Sequence, residues 1–62
     1  MAHYQIYCMD RPGHISLAQA IDAESDEQAI EKAKAAKANA IKCEVWQGKR
    51  MVATLDAQDL AD

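Results

Sequence analysis

The sequence predicts an α+β domain of order ββαββ, with one four-stranded antiparallel sheet covered on one face by a single helix. Apolar and polar residues alternate over residues 2–9 and 14–22, which indicates a β-hairpin. An Ala-rich segment over 26–38 carries apolar residues at helical spacing. A second alternating pair, 41–47 and 50–55, predicts another hairpin. The 62 residues are enough for one domain and one core.

The first hairpin is predicted from its turn and from its alternation. Pro12 presets φ near −65° and Gly13 tolerates positive φ, so the two residues form the centre of a turn. Strand parity places one apolar set on a common face: Tyr4, Ile6, Cys8, Ile15, Leu17 and Ile21. We therefore expect this face to line the core.

The helix is predicted to begin after Ser25, whose hydroxyl can accept the backbone N–H of Gln28 in a capping box. Acidic residues lie early in the segment and lysines lie late, as the helix macrodipole favours. Asn39 is the expected C-cap in a left-handed conformation. The predicted core stripe of the helix consists of Ala29, Ala33, Ala36 and Ala40, with Ile30 beside them. Alanines allow close approach to the sheet but bury little area.

The second hairpin is predicted around Gly48-Lys49, a two-residue loop that suits a type II′ turn. This register places Trp46 opposite Met51. A right-handed crossover through the helix lays the third strand beside the first, which predicts the strand order 2-1-3-4. Residues 56–62 are expected to form a frayed acidic tail.

One helix can cover only one side of this sheet, so the opposite side is expected to be open. The residues assigned to the covered side on the third and fourth strands are Ile41, Cys43, Val45 and Val52. The large apolar residues assigned to the open side are Tyr7, Met9, Trp46, Met51 and Leu55, with Ala53 and small residues around them. Such a patch predicts a subunit or partner interface. The alternative is that Trp46 and Met51 form a cross-strand pair that shields itself.

Composition and spacing argue against several classes of function. The net charge of −3 and the absence of a basic stripe are unfavourable for nucleic-acid binding. The spacings of His3, Cys8, His14 and Cys43 match no zinc pattern, and no residues form a nucleophile–base pair or a phosphate-binding loop. We therefore expect no enzyme activity, no metal and no cofactor. Two cysteines, too few for a secreted disulfide framework, predict free thiols in a cytoplasmic protein, and no segment predicts a membrane span.

A second hypothesis makes the chain a binder of a small ligand or an anion, contacted by residues near the strand ends. The residues of this candidate ligand site are Asp10, His14, Trp46 and Arg50. The alternative for Arg50 is a charge that protects a strand edge from pairing. A third hypothesis, RNA binding with Tyr7 and Trp46 as stacking platforms, is disfavoured by the acidic charge.

The segments YQIYCMDRPGHI, SDEQAIEKA and EVWQGKRMVATL resemble a group of very short alphaproteobacterial proteins. The matching positions are Tyr4, Tyr7, Asp10, Gly13, His14, Ile15, Asp26, Glu27, Ala29, Ile30, Glu44, Trp46, Gly48 and Arg50. That group has no established activity, so the resemblance supplies no catalytic residues. The hairpin and the helix start are also similar to the ββα start of HicB-type antitoxins, which dimerise, bind partners and contact DNA through a separate segment. Together these features predict a non-enzymatic interaction module, a homodimer through the helix-free sheet face.

Overall fold

A computed structural model describes residues 1–36 and 40–60 and confirms the predicted α+β fold. The strands are β1 (Ala2–Arg11), β2 (His14–Ala23), β3 (Lys42–Gln47) and β4 (Arg50–Leu55). Helix α1 (Asp26–Ala35) connects β2 to β3, and a short helix α2 (Ala57–Leu60) follows β4. All neighbouring strands are antiparallel and lie in the predicted order β2-β1-β3-β4. The two hairpins therefore meet through β1 and β3 at the centre of the sheet.

Both hairpin turns depend on a glycine in a conformation that other residues rarely adopt. Gly13 has a φ of +78° and Gly48 a φ of +61°. Gly48 thus meets the requirement of a positive φ at the first position of a two-residue hairpin loop. Beside this loop Gln47 pairs with Arg50 and Trp46 with Met51, as the sequence predicts.

A β-bulge in β2 changes the face on which one apolar residue lies. Leu17 pairs with Cys8 and Ile15 pairs with Met9, so Ser16 is an extra residue between two partnered positions. The Ser16 hydroxyl donates to the Cys8 carbonyl at 3.3 Å. Since Ile15 shares a face with Met9, it lies on the open side and is 56% exposed. The prediction that Ile15 lines the core is wrong.

A second irregularity in β4 has the opposite effect on Leu55. Trp46 pairs with Met51 but Val45 pairs with Ala53, so Val52 is the extra residue. Leu55 consequently lies opposite Cys43 and is 6% exposed, within the core. The prediction that Leu55 lies on the open face is therefore wrong, as the bulge reverses the parity of the strand beyond it.

Helix α1 begins with the predicted cap. The Ser25 hydroxyl accepts the backbone N–H of Gln28 at 3.2 Å, and the Gln28 side chain accepts the backbone N–H of Glu24 at 2.7 Å. Ala36 is the C-cap, so α1 ends at Ala35, and the predicted end at residue 38 lies outside the described residues. The predicted cap Asn39 lies outside the described residues.

The core lies between α1 and the covered face of the sheet, with a disulfide at its centre. The fully or nearly buried residues are Tyr4, Ile6, Cys8, Ala23, Ala29, Ala33, Cys43, Val45, Leu55 and Leu60. Cys8 and Cys43 lie directly opposite each other on β1 and β3, and a disulfide joins them. The prediction of two free thiols is wrong. The bridge links the two hairpins across a sequence separation of 35.

The segment after β4 is more ordered than the predicted frayed tail. The Asp56 carboxylate accepts the backbone N–H groups of Gln58 at 3.0 Å and Asp59 at 3.1 Å, which caps α2. Leu60 is 4% exposed and belongs to the core. The turn of helix thus brings one more leucine to a core that is otherwise rich in alanine.

Candidate functional site

The open face of the sheet carries a diagonal band of large apolar side chains, which we call the open-face stripe. Its members are Tyr7, Met9, Ile15, Trp46 and Met51. Met51 pairs with Trp46 across β4 and β3, and Met9 pairs with Ile15 across β1 and β2. Tyr7 lies between these pairs, since its own partner is Glu44, one pleat along β3 from Trp46. Diagonal neighbours of this kind are about 7–8 Å apart, within reach of aromatic side chains.

The polar groups beside the stripe find their partners within the chain. Trp46 Nε1 donates to Glu44 Oε1 at 3.1 Å, and Lys42 Nζ lies 3.5 Å from Glu44 Oε2. On the other side of the stripe, Tyr7 donates to the Gln5 side chain. The open-face charges on β3 are therefore balanced locally. A second apolar surface could approach the stripe without leaving the indole N–H unpaired.

Self-shielding accounts for only part of the stripe. Tyr7, Met9 and Trp46 are each half-buried by their neighbours on the sheet. Met51 and Ile15, at the two ends, are 44% and 56% exposed. The predicted cross-strand pair of Trp46 and Met51 therefore exists, but it leaves Met51 and the Ile15 end of the stripe in solvent.

The four residues of the candidate ligand site do not converge. Asp10 and His14 lie beside the β1–β2 turn, where His14 Nδ1 is 2.7 Å from Asp10 Oδ1. Trp46 and Arg50 lie beside the other hairpin turn, at the opposite end of the sheet, because β1 and β3 are antiparallel and Trp46 pairs with Gln5. Asp10 lies five residues along β1 from Gln5, the partner of Trp46, which is roughly 16 Å. A single small ligand would not contact both.

Arg50 instead belongs to a polar cluster that connects β4, β1 and the start of α1. Its guanidinium donates two hydrogen bonds to the Asp26 carboxylate, at 3.1 and 3.3 Å, and the Tyr4 hydroxyl donates to the same carboxylate at 2.7 Å. The hydrogen bonds from Arg50, which have the larger effect, and from Tyr4 lower the pKa of the Asp26 carboxyl. The bond to Asp26 raises the pKa of both Tyr4 and Arg50.

This cluster has a structural role that sequence reasoning missed. Asp26 is at the first turn of α1, where a carboxylate also interacts favourably with the helix macrodipole. Because Arg50 is half exposed, with 54% of its side chain accessible, its charge is shared between Asp26 and water. The only sequence signal was the position of Asp26 directly after the predicted cap, which does not identify a partner 24 residues away.

The described residues lack two features that commonly mark a small-molecule or metal site. They line no pocket, and they contain no group of three or more His, Cys, Asp or Glu side chains placed to hold a metal ion. Over residues 1–36 and 40–60, no helix is long and apolar enough to cross a membrane. No protein-family model, curated protein or solved structure matches the chain in the three comparisons. The open-face stripe is thus the candidate functional site.

Proposed function

We propose that the chain is a non-enzymatic interaction module that forms a homodimer through its open-face stripe. The observation that carries this proposal is the diagonal band of Tyr7, Met9, Ile15, Trp46 and Met51 on the face that α1 leaves uncovered. A solvated sheet face ordinarily carries polar side chains. Here the outward face carries the only tryptophan of the chain, with a methionine on each side of it along the stripe.

The shape of the sheet supports a two-fold contact. Its four strands form one continuous layer, and the two longest strands, β1 and β2, have ten residues each. Two such sheets can pack face to face with their strands nearly aligned.

The charges of the face support a second copy as the partner. Lys42 is paired with Glu44, so the charges on β3 beside the stripe balance each other. A surface without an excess of one charge can face its own copy without repulsion. A two-fold axis also makes every contact twice, which favours a self-complementary apolar patch.

The test compares two substitutions at equally exposed apolar residues. Met51, within the stripe, is 44% exposed, and Ile41, outside it, is 43% exposed. A lysine at either position adds the same charge, and at both positions the ammonium group can remain in solvent. Met51→Lys should halve the mass measured by light scattering and by sedimentation, whereas Ile41→Lys should leave it unchanged.

Two results would reject the proposal. One is a wild-type chain that sediments as a monomer of 6.8 kDa at every concentration from micromolar to millimolar. The other is an oligomer whose mass responds equally to Met51→Lys and Ile41→Lys. Circular dichroism of both variants establishes that the loss of mass is not a loss of fold.

A further inference from the structure

The outer edge of β2 is a second surface with a definite geometry. β2 is ten residues long and has β1 as its neighbour on one side only. No lysine or arginine occurs between Arg11 and Lys32, so the edge lacks the positive charges that commonly prevent edge-to-edge pairing. The other edge strand, β4, is six residues long and begins with Arg50. Of the two edges, β2 is the longer one and the one without a lysine or arginine.

The hydrogen bonds of the sheet show which residues of β2 point outward. The Met9 carbonyl accepts from the Ile41 backbone N–H at 2.8 Å, so odd-numbered residues of β1 bond toward β3. Cys8 and the even-numbered residues before it therefore bond toward β2, to Leu17, Gln19 and Ile21. The residues between these, Ala18 and Ala20, direct their backbone N–H and C=O groups away from the sheet.

The row of outward-facing backbone groups on β2 is interrupted at both ends. At one end the outward Asp22 carbonyl already accepts a hydrogen bond of 2.6 Å from Lys32 Nζ on α1. At the other end the Ser16 bulge interrupts the regular ladder. The free segment is therefore Leu17 to Ile21, with Gln19 at its centre.

We propose that this segment pairs with the same segment of a second copy, antiparallel and centred on Gln19. In this register Ala18 lies opposite the partner's Ala20, and the two exchange backbone hydrogen bonds. Two-fold symmetry repeats that pair, which gives four bonds. Leu17 lies opposite the partner's Ile21 on the covered face, where both side chains already pack against the core. The apolar edges of the two cores would then meet beneath one eight-stranded sheet.

This edge contact is independent of the proposed contact through the open-face stripe. The two-fold axis of antiparallel edge pairing is perpendicular to the sheet, whereas the axis of face-to-face packing lies parallel to it. Two perpendicular two-folds that intersect generate a closed assembly of four copies. When both contacts form about intersecting axes, the expected mass is four times the chain mass of 6.8 kDa. Edge pairing alone gives a dimer, with twice the mass of one chain.

The test uses two double variants altered at the same two positions. Ala18→Lys with Ala20→Lys places like charges directly opposite each other in the proposed register, and it should halve the mass. Ala18→Lys with Ala20→Glu places opposite charges together at both symmetric pairs, so the mass should match that of the wild type. Both variants put charged side chains on the open face beside the stripe and differ there in net charge, so they are compared a second time in the Met51→Lys background, where the stripe contact is removed.

Equal masses for the two double variants would overturn edge pairing, whether both match the wild type or both are halved. The Met51→Lys variant distinguishes this failure from that of the proposed function. If the edge contact alone is real, Met51→Lys retains the wild-type mass while the double lysine variant loses half of it. If the stripe contact alone is real, Met51→Lys halves the mass, and in that background the two double variants have the same mass.

Discussion

Removal of the Cys8–Cys43 disulfide is expected to cost a large part of the stability of the fold. The bridge joins the two central strands at residues that are fully buried. Replacement of both residues in the variant Cys8→Ala, Cys43→Ala removes the cross-link and leaves two small apolar side chains beneath α1. The hairpins would then be held together by the chain through α1, by the hydrogen bonds between β1 and β3, by the polar cluster around Asp26 and by the remaining core contacts.

The size of the effect follows from the loop that the bridge closes. Loss of loop-closure entropy stabilises by about 3 kcal/mol for a 15-residue loop and by about 4.7 kcal/mol for a 100-residue loop. For the sequence separation of 35 found here, the same relation gives about 4 kcal/mol. The total free energy of unfolding for a chain of 62 residues is roughly 3–9 kcal/mol. The variant should therefore be close to unfolded at the lower end of this range.

The assay is urea unfolding followed by the fluorescence of Trp46, the only tryptophan. With an m-value of about 1 kcal/mol/M, a loss of about 4 kcal/mol moves the midpoint by about 4 M. The matched control is the wild-type chain unfolded with and without reductant, which compares the same residues with and without the bond. Thiol titration of the unfolded, unreduced protein should find no free thiol. A midpoint that reductant leaves unchanged, or two titratable thiols, would refute the reasoning.

Two further predictions test the register of β4 and the polar cluster. Leu55→Ala should lower the free energy of unfolding by about 2–5 kcal/mol because Leu55 is a core residue. Met51→Ala should lower it by about 1 kcal/mol or less in the dilute monomer. A lower urea midpoint for Met51→Ala than for Leu55→Ala would contradict the bulge. Since Arg50 and Tyr4 lower the pKa of Asp26 below its ordinary value of 3.8, the stabilisation by this carboxylate is present above pH 3.8 and is lost as the pH falls through the lower, folded-state pKa. Asp26→Asn should accordingly flatten the acid limb of stability measured by thermal unfolding, and superimposable acid limbs would contradict the role of the cluster.

The elements and their order could be predicted because they depend on local signals. Turn residues, alternation and a capping box each act over a few positions, and the right-handed crossover rule then leaves one favoured strand order. Trp46 and Met51 lie next to a two-residue loop, and the loop length alone determines that they pair. Ile15 and Leu55 could not be assigned in this way. Each lies beyond a bulge, and a single extra residue reverses the face of everything that follows it.

The disulfide and the polar cluster were missed for a different reason. Both join elements that are far apart in sequence, so their formation depends on a register that no turn determines. Cys8 and Cys43 were correctly placed on the same face, but only the alignment of β1 with β3 shows that they are direct partners. The count of cysteines argued for free thiols, and the geometry of the central pair overrides it. Arg50 likewise meets Asp26 only once the second hairpin lies beside the start of α1.

The Ser16 bulge is the feature that most strongly connects the fold to the proposed contact. A regular β2 would have turned Ile15 toward the core, where its burial would have stabilised the monomer at about 25 cal/mol per Å² of apolar surface. The bulge instead places Ile15 beside Met9 on the open face, with more than half of its surface in solvent, and its own serine satisfies the Cys8 carbonyl at the interruption. For an isolated chain this exchange loses apolar burial. It becomes favourable when a second copy covers the open-face stripe, because Ile15 then completes the end of the stripe opposite Met51. An arrangement that weakens the monomer while extending its apolar face is the one expected of a surface that functions by contact.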